Sequence, residues 1–300
     1  MLKIEHLAIV TLLNDEGRSD IRELAQRLRM LSATGLRSFL DEALERMSEK
    51  GLSWKSDPLL VQVLKETAGP KRMDHYIAVL NGYRSRGIRI IDYWDGGYPE
   101  RLRHISNPPL VLFVRGQVFP GSSPVAIVGT RTPSPRGVTL AHEFGSFFAE
   151  RGHTIVSGLA WGIDSAAHTG ALDAGGTTVA ILAGHVEHIY PKANTDLAAA
   201  IVKRGALVSE VSPEVVLHKG RFVERNRITS GLAHAVIVVE SVRSGGTLQQ
   251  VRFAIGQGRP TYVVDQSDFE NPETKEGFQR LREMGATPIR NPTDVRILSA

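Results

Sequence analysis

The hydrophobic rhythm of the chain changes near residue 124. From Ile4 to about Leu64, apolar residues recur three and four positions apart, as in Ile21, Leu24, Ala25 and Leu28 and again in Leu36, Phe39, Leu40, Ala43, Leu44 and Met47. That spacing gathers them on one face of a helix and predicts a helical segment. Ser19 or Asp20 is placed to cap the second helix and Gly51 to end the third. A further helix is expected at about Lys71 to Arg86, followed by apolar runs at Ile88–Ile91 and Pro109–Arg115. Gly116 to Pro124, rich in Gly, Ser and Pro, reads as a boundary. Beyond it, short β-branched runs at Val125–Gly129, Thr154–Ser157, Thr177–Leu182, Ala206–Ser209, Ala235–Val239 and Thr261–Val264 alternate with helical patterns. Runs that are apolar at every position suit strands buried on both faces. The expectation is an α/β fold: a doubly wound, mostly parallel, extended Rossmann-like sheet over 86–300, lead-in segment included, and a small helical domain over 1–85. Ile21 to Gly51 also admits a reading as a winged-helix core.

Composition narrows the function classes. With 42% hydrophobic and 23% charged residues, the 300-residue chain is neither a disordered nor a fibrous protein. It has no cysteine, which excludes disulfides, thiolate zinc sites, iron–sulfur clusters and cysteine nucleophiles. No uncharged apolar run approaches the roughly 18 residues of a membrane span, and Glu5 and His6 stand where a signal peptide would be apolar. A cytoplasmic protein is expected. The net charge of +4 permits an anionic partner. Its distribution says more: between His218 and Arg227, Lys219, Arg221, Arg225 and Arg227 face one acid, Glu224.

In open α/β sheets, ligands sit beyond the C-terminal ends of the strands, and there the polar and glycine residues concentrate. The first strand of the βα region ends in Gly129-Thr130-Arg131, and Thr132 to Gly137 opens a helix, so backbone amides beside a guanidinium offer a phosphate site. Neither a Walker loop nor GxGxxG is present. The second strand ends in Ser157-Gly158, followed by Asp164 and His168 on one helical face. These two read as an acid/base pair or as a buried hydrogen bond that fixes the loop. After Glu240, Ser244-Gly245-Gly246-Thr247 lets a backbone approach a ligand closely. Phosphoribohydrolases of the LOG type carry a glycine loop of this kind with a catalytic glutamate just after it; here Gln249 and Gln250 occupy that region, and glutamine is neither acid nor base. His185-x-x-His188 lacks a metal-site pattern, so no metal is assigned. Trp161 is a base-stacking or a packing residue.

The ordered motifs resemble the DNA-processing protein A family, DprA, also called Smf. They are Tyr98-Pro-Glu-Arg-Leu102, Pro109-Leu-Val-Leu-Phe-Val-Arg-Gly116, Val125-Ala-Ile-Val-Gly-Thr-Arg131, Ser157-Gly-Leu-Ala-Trp-Gly-Ile-Asp-Ser-Ala-Ala-His168, Tyr190-Pro191, Ser209-Glu210, Arg225-Asn226-Arg227-Ile228, Val239-Glu240, Ser244-Gly245 and Gly258-Arg259. The resemblance spans about Asp92 to Ile289. It implies an extended Rossmann domain, single-stranded DNA binding, homodimerisation and loading of a RecA-type recombinase, with no catalytic step and no cofactor. It also implies that Gly129, Arg131, Lys219, Arg221, Arg225 and Arg227 hold DNA phosphates. Thr130, Ser157, Gly158, Asn226 and Ser244 to Thr247 complete the candidate phosphate-binding set. The chain departs from the family pattern in reading Gly-Thr-Arg for Gly-Ser-Arg, Ser-Gly-Gly-Thr for Ser-Gly-Ser-Leu, and Asp265-Gln266 for Pro-Gly. Because it ends soon after Asp294, the C-terminal winged-helix domain of many members is expected to be absent. The competing reading is a nucleotide-binding sensor or phosphoribohydrolase-like enzyme on the same fold.

Overall fold

The computed structural model describes residues 2–16, 19–48, 69–117, 122–267 and 269–297. The chain divides into two compact units. One unit joins Met1–Tyr98 to Asn107–Phe113 and Glu210–Val216, and the other holds Pro99–Ser106, Val114–Ser209 and Leu217–Ala300.

The first unit is organised around α1 (Ile4–Glu16), whose residues Leu7 to Leu13 are all buried. A helix apolar on every side must be enclosed, and α2 (Ser19–Arg29), α3 (Ala33–Ser48) and α4 (Pro70–Ser85) pack on it. The faces predicted to be apolar are the ones turned inward, with Ile21, Leu24, Ala25, Leu28, Leu36, Leu40 and Ala43 buried. Polar ties explain why distant segments belong here. Asn14 donates to the Glu210 carbonyl at 2.6 Å and accepts from the Leu110 amide at 3.0 Å. Buried Asp15 accepts from the Ser212 amide and hydroxyl and from the Tyr76 hydroxyl. Strand β1 (Arg89–Asp92) and the first half of β2 (Val111–Gly116) complete the unit. The predicted helix end at Gly51 and any wing following α3 lie outside the described residues.

The second unit carries the βα alternation. Its strands are β3 (Ser122–Val128), β4 (His153–Ser157), β5 (Thr178–Ile181), β6 (Ala206–Ser209), β7 (Ala235–Val238), β8 (Thr261–Val264) and β9 (Thr287–Ile289), in spatial order β6-β5-β4-β3-β7-β8-β9. Each of these neighbouring pairs is parallel. β3 begins at Ser122, so part of the segment read as a boundary is strand, and β9 is an addition that its short length hid. Successive strand residues serve opposite faces. Val125 and Ile127 join Phe144, Phe148 and Ala167 from α6 (Pro135–Glu150) and α7 (Ile163–Asp173) on one side. Ala126 and Val128 join Val251, Ala254, Phe278 and Leu281 from α10 (Gly246–Gly256) and α11 (Pro272–Glu283) on the other. Helix α5 (Glu100–Arg103) precedes β3 in sequence, and α8 (Thr195–Arg204) and α9 (Lys219–Leu232) lie between α7 and α10. Winding runs outward from β3 through β4 to β6 and resumes on its other side with β7, so the switch point lies between β3 and β7.

Candidate functional site

The loops after β3 and β7 meet at that switch point. The Thr130 amide donates to the Glu240 carbonyl at 2.8 Å. The Glu240 side chain, 3% exposed, turns back into the first loop and accepts from the Ser134 amide at 3.0 Å and the Ser134 hydroxyl at 2.9 Å. Ser134 in turn caps α6 by accepting from the Gly137 amide at 3.1 Å. A Cβ on Gly137 would lie 1.9 Å from a Glu240 carboxylate oxygen. The helix start expected to receive a phosphate therefore already holds an anion from the protein itself. By contrast, α10 opens after Gly245, at φ 138°, with no side-chain cap, so Gly245, Gly246 and Thr247 present the exposed helix start.

A cavity of about 510 Å³ opens here. Of the candidate residues, Gly129, Thr130, Arg131, Gly158, Lys219, Arg225, Asn226 and Ser244 to Thr247 line it. Ser157, Arg221 and Arg227 are not among its lining residues. Ser157 is buried, with its hydroxyl donated to the Ile127 carbonyl at 2.6 Å. Arg221 pairs with Glu224 at 3.2 Å, and Arg227 donates to the Glu224 carbonyl at 3.0 Å. The basic run is helix α9, and a helix sends its side chains to different faces.

Arg225 lies on that helix. It is 6% exposed and donates to the Ile181 carbonyl at the end of β5. A Cβ on Gly158 would fall 1.8 Å from its guanidinium, so only glycine leaves room for this packing. Asp164 faces it: burial raises the carboxyl above its ordinary value, and the Arg225 charge works in the other direction. Burial likewise lowers Arg225, with Asp164 opposing. Asp164 also accepts from the Gly158 amide at 3.1 Å and the Ala160 amide at 3.4 Å, which fixes the loop after β4. His168 is not its partner. Its Nδ1 lies 2.6 Å from the Thr178 hydroxyl, and burial pushes the imidazole down to about 3. The pair thus separates into a loop-holding carboxylate and a neutral core histidine.

Tyr190, from the Tyr190-Pro191 motif, also lines the cavity, as do Phe222, Val223, Thr229 and Val242, which were not singled out from sequence. The Arg131 guanidinium lies over the Phe222 ring at 5.2 Å, and Phe222 meets Tyr190 edge to face at 5.4 Å. The available signal was Phe222 three residues beyond Lys219, one helical step on the same face. Trp161 is 54% exposed and outside the lining set. Gln250 lines the cavity but is buried, with its amide donated to the Asn226 carbonyl at 3.1 Å. The His185 and His188 rings lie 5.6 Å apart. Among the described residues, no group of three or more His, Cys, Asp or Glu is placed to hold a metal.

A profile described as DNA recombination-mediator protein A matches residues 89–298. The chain belongs to that family. It is 37% identical over 219 residues to the DNA processing protein DprA of Bacillus subtilis (strain 168), covering 72% of this chain and 73% of that protein. It is 37% identical over 200 residues to Protein Smf of Escherichia coli (strain K12), covering 66% of this chain and 53% of that one. The X-ray structure of DNA processing protein A from Streptococcus pneumoniae superposes with a TM-score of 0.71 at 26% identity, covering 98% of this chain and 97% of the other. DNA processing protein A from Helicobacter pylori, described for its single-stranded DNA binding mode, gives 0.62 at 26% identity over 69% and 93% of the two chains. The Rossmann-like α/β architecture is that of the family. No helix among the described residues is long and apolar enough to cross a membrane.

Proposed function

We propose that this chain binds single-stranded DNA in the cavity at the C-terminal edge of its sheet and acts without catalysis, as a recombination mediator in DNA processing or uptake. The observation that carries the reading is one wall of that cavity, where Arg131 lies over Phe222 and Lys219 stands three residues away. Cations beside aromatic rings suit a backbone phosphate and its neighbouring base. The uncapped start of α10 adds backbone donors for a second phosphate oxygen. Arg225 supports the floor and leaves direct contact to Arg131, Lys219 and the loop amides. The DNA-processing protein A structure from Helicobacter pylori, with its single-stranded DNA binding mode, supports the same ligand.

A non-catalytic role fits the fate of Gln250, whose buried amide is spent on the Asn226 carbonyl at the place where a LOG-type enzyme needs a carboxylate. DNA binding is assigned to 86–300, with 1–85 as a helical N-terminal domain outside it. A RecA-type recombinase and a second copy of the chain as partners follow from the family resemblance, and a cytoplasmic site of action is read from the sequence. The test is fluorescence anisotropy of labelled oligo-dT across a salt series with wild type and an Arg131→Ala/Lys219→Ala variant, folding being followed by circular dichroism. Binding that weakens with salt and collapses in the folded variant supports the reading; no binding at low salt overturns it. The cavity volume also suits a single nucleotide. Nucleoside monophosphates that displace oligo-dT only at saturating excess, with no free base released, favour DNA over the sensor or hydrolase alternative.

A further inference from the structure

The opposite edge of the same sheet gathers positive charge that the cavity does not use. Arg101 on α5, His153 at the start of β4, His234 just before β7 and Arg259 just before β8 are all partly exposed. Arg259 donates to the Gly231 carbonyl at 2.9 Å and the Arg101 carbonyl at 3.1 Å, and Arg101 donates to the Ala233 carbonyl at 3.3 Å. Those contacts hold the two guanidinium groups at the C-terminal end of α9. A helix end carries only about half a negative charge, which two full cations exceed. No described carboxylate pairs with any of the four: Glu100, the acid of α5, bonds Arg103 and His104 instead, each at 3.1 Å. Arg101 Nε, Arg259 Nε and His234 Nδ1 are buried without a hydrogen-bond partner. The groups also disfavour one another's charge. Burial and Arg101 lower Arg259 to about 10, and burial, Arg101, Arg259 and His153 lower His234.

We propose that Arg101, Arg259, His234 and His153 form a second anion site, for a phosphate group, at the N-terminal edge of the sheet. The geometry supplies two fixed cations and two imidazoles with no internal counter-charge, while the cavity edge places Asp164 against Arg225. A bound phosphate would favour the charged imidazole of His234, which Arg101, Arg259 and His153 face, so anion affinity rises as the pH falls. The phosphate is a free ion or part of a nucleic-acid backbone.

The test is an NMR pH titration of the His234 ring in the full chain, in sodium phosphate against sodium chloride at equal ionic strength. It is repeated with oligo-dT in the Arg131→Ala/Lys219→Ala variant, so that loss of the cavity reading leaves this one standing. The expected result is a rise of about one unit in the His234 pKa, a tenfold change in proton affinity, abolished by Arg259→Gln. Should Arg259→Gln fail to fold, His153→Asn is the second variant, expected to weaken phosphate binding several-fold. A rise with inorganic phosphate supports a free-ion site, and a rise with oligo-dT alone supports a backbone site. Identical titrations in chloride, phosphate and oligo-dT overturn the proposal and leave the arginines as caps of α9.

Discussion

The two edges of the parallel sheet treat charge in opposite ways. At the C-terminal edge the buried ions are organised: Glu240 fills the start of α6, Asp164 faces Arg225, and the exposed cations line a cavity. At the N-terminal edge Arg101 and Arg259 meet only carbonyls. At the C-terminal edge, close approach locks loops and ions together. Gly129, Gly137, Gly158 and Gly162 each lie where a Cβ would come within 3 Å of a neighbouring atom, so loops and ions pack together. Internal counter-charge of this kind fixes a site's shape in advance, which lowers the cost of ordering it on binding.

The largest expected effect comes from removing the ion that balances the cavity floor. Asp164→Ala leaves Arg225 buried without its counter-charge and should cost about 3–5 kcal/mol of stability, read from urea unfolding. Less than about 1 kcal/mol would mean that the Ile181 carbonyl alone satisfies Arg225. Next, Arg131→Ala should lower oligo-dT affinity about 10- to 100-fold, the scale of a charge-assisted hydrogen bond, while leaving stability within about 0.5 kcal/mol. An unchanged affinity would move the ligand away from Phe222.

His168 supplies a pH test. Its neutral form is favoured in the fold, so between about 3 and 6.5 the native state binds fewer protons than the unfolded chain. Its contribution is complete above 6.5 and is lost as the pH falls towards 3. His168→Asn should therefore flatten the acid side of the melting temperature against pH; a curve parallel to wild type would contradict a neutral buried imidazole. The smallest effect is expected for Lys219→Ala, with a salt slope less negative by about 0.7 on single strands. A slope unchanged in this variant would remove Lys219 from the phosphate contacts.

The strands were legible because continuous apolar runs have few alternatives: Ala206–Ser209 and Thr261–Val264 match residue for residue. The glycine loops were legible as approach points for the same reason. Side-chain direction was not. A string of basic residues does not show that Arg221 and Arg227 turn away while Lys219 and Phe222 share the cavity wall. Nor does linear order show which anion occupies a helix start: Ser134 and Glu240 stand 106 positions apart and meet where the loops after β3 and β7 come together. Likewise, four residues of helical spacing suggested a bond between Asp164 and His168, but β5 offered Thr178 to the imidazole first.

The seat of Glu240 has a consequence for how this sequence can vary. Its carboxylate, the Ser134 hydroxyl and the bare Cα of Gly137 fit together as one part. A shortened acid at 240 would leave the Ser134 amide stranded, and a side chain at 137 would evict the carboxylate. Changes at these three positions should therefore appear together among relatives, and a selection for second-site suppressors of Glu240→Asp should return substitutions at 134 or 137 before any at the cavity wall.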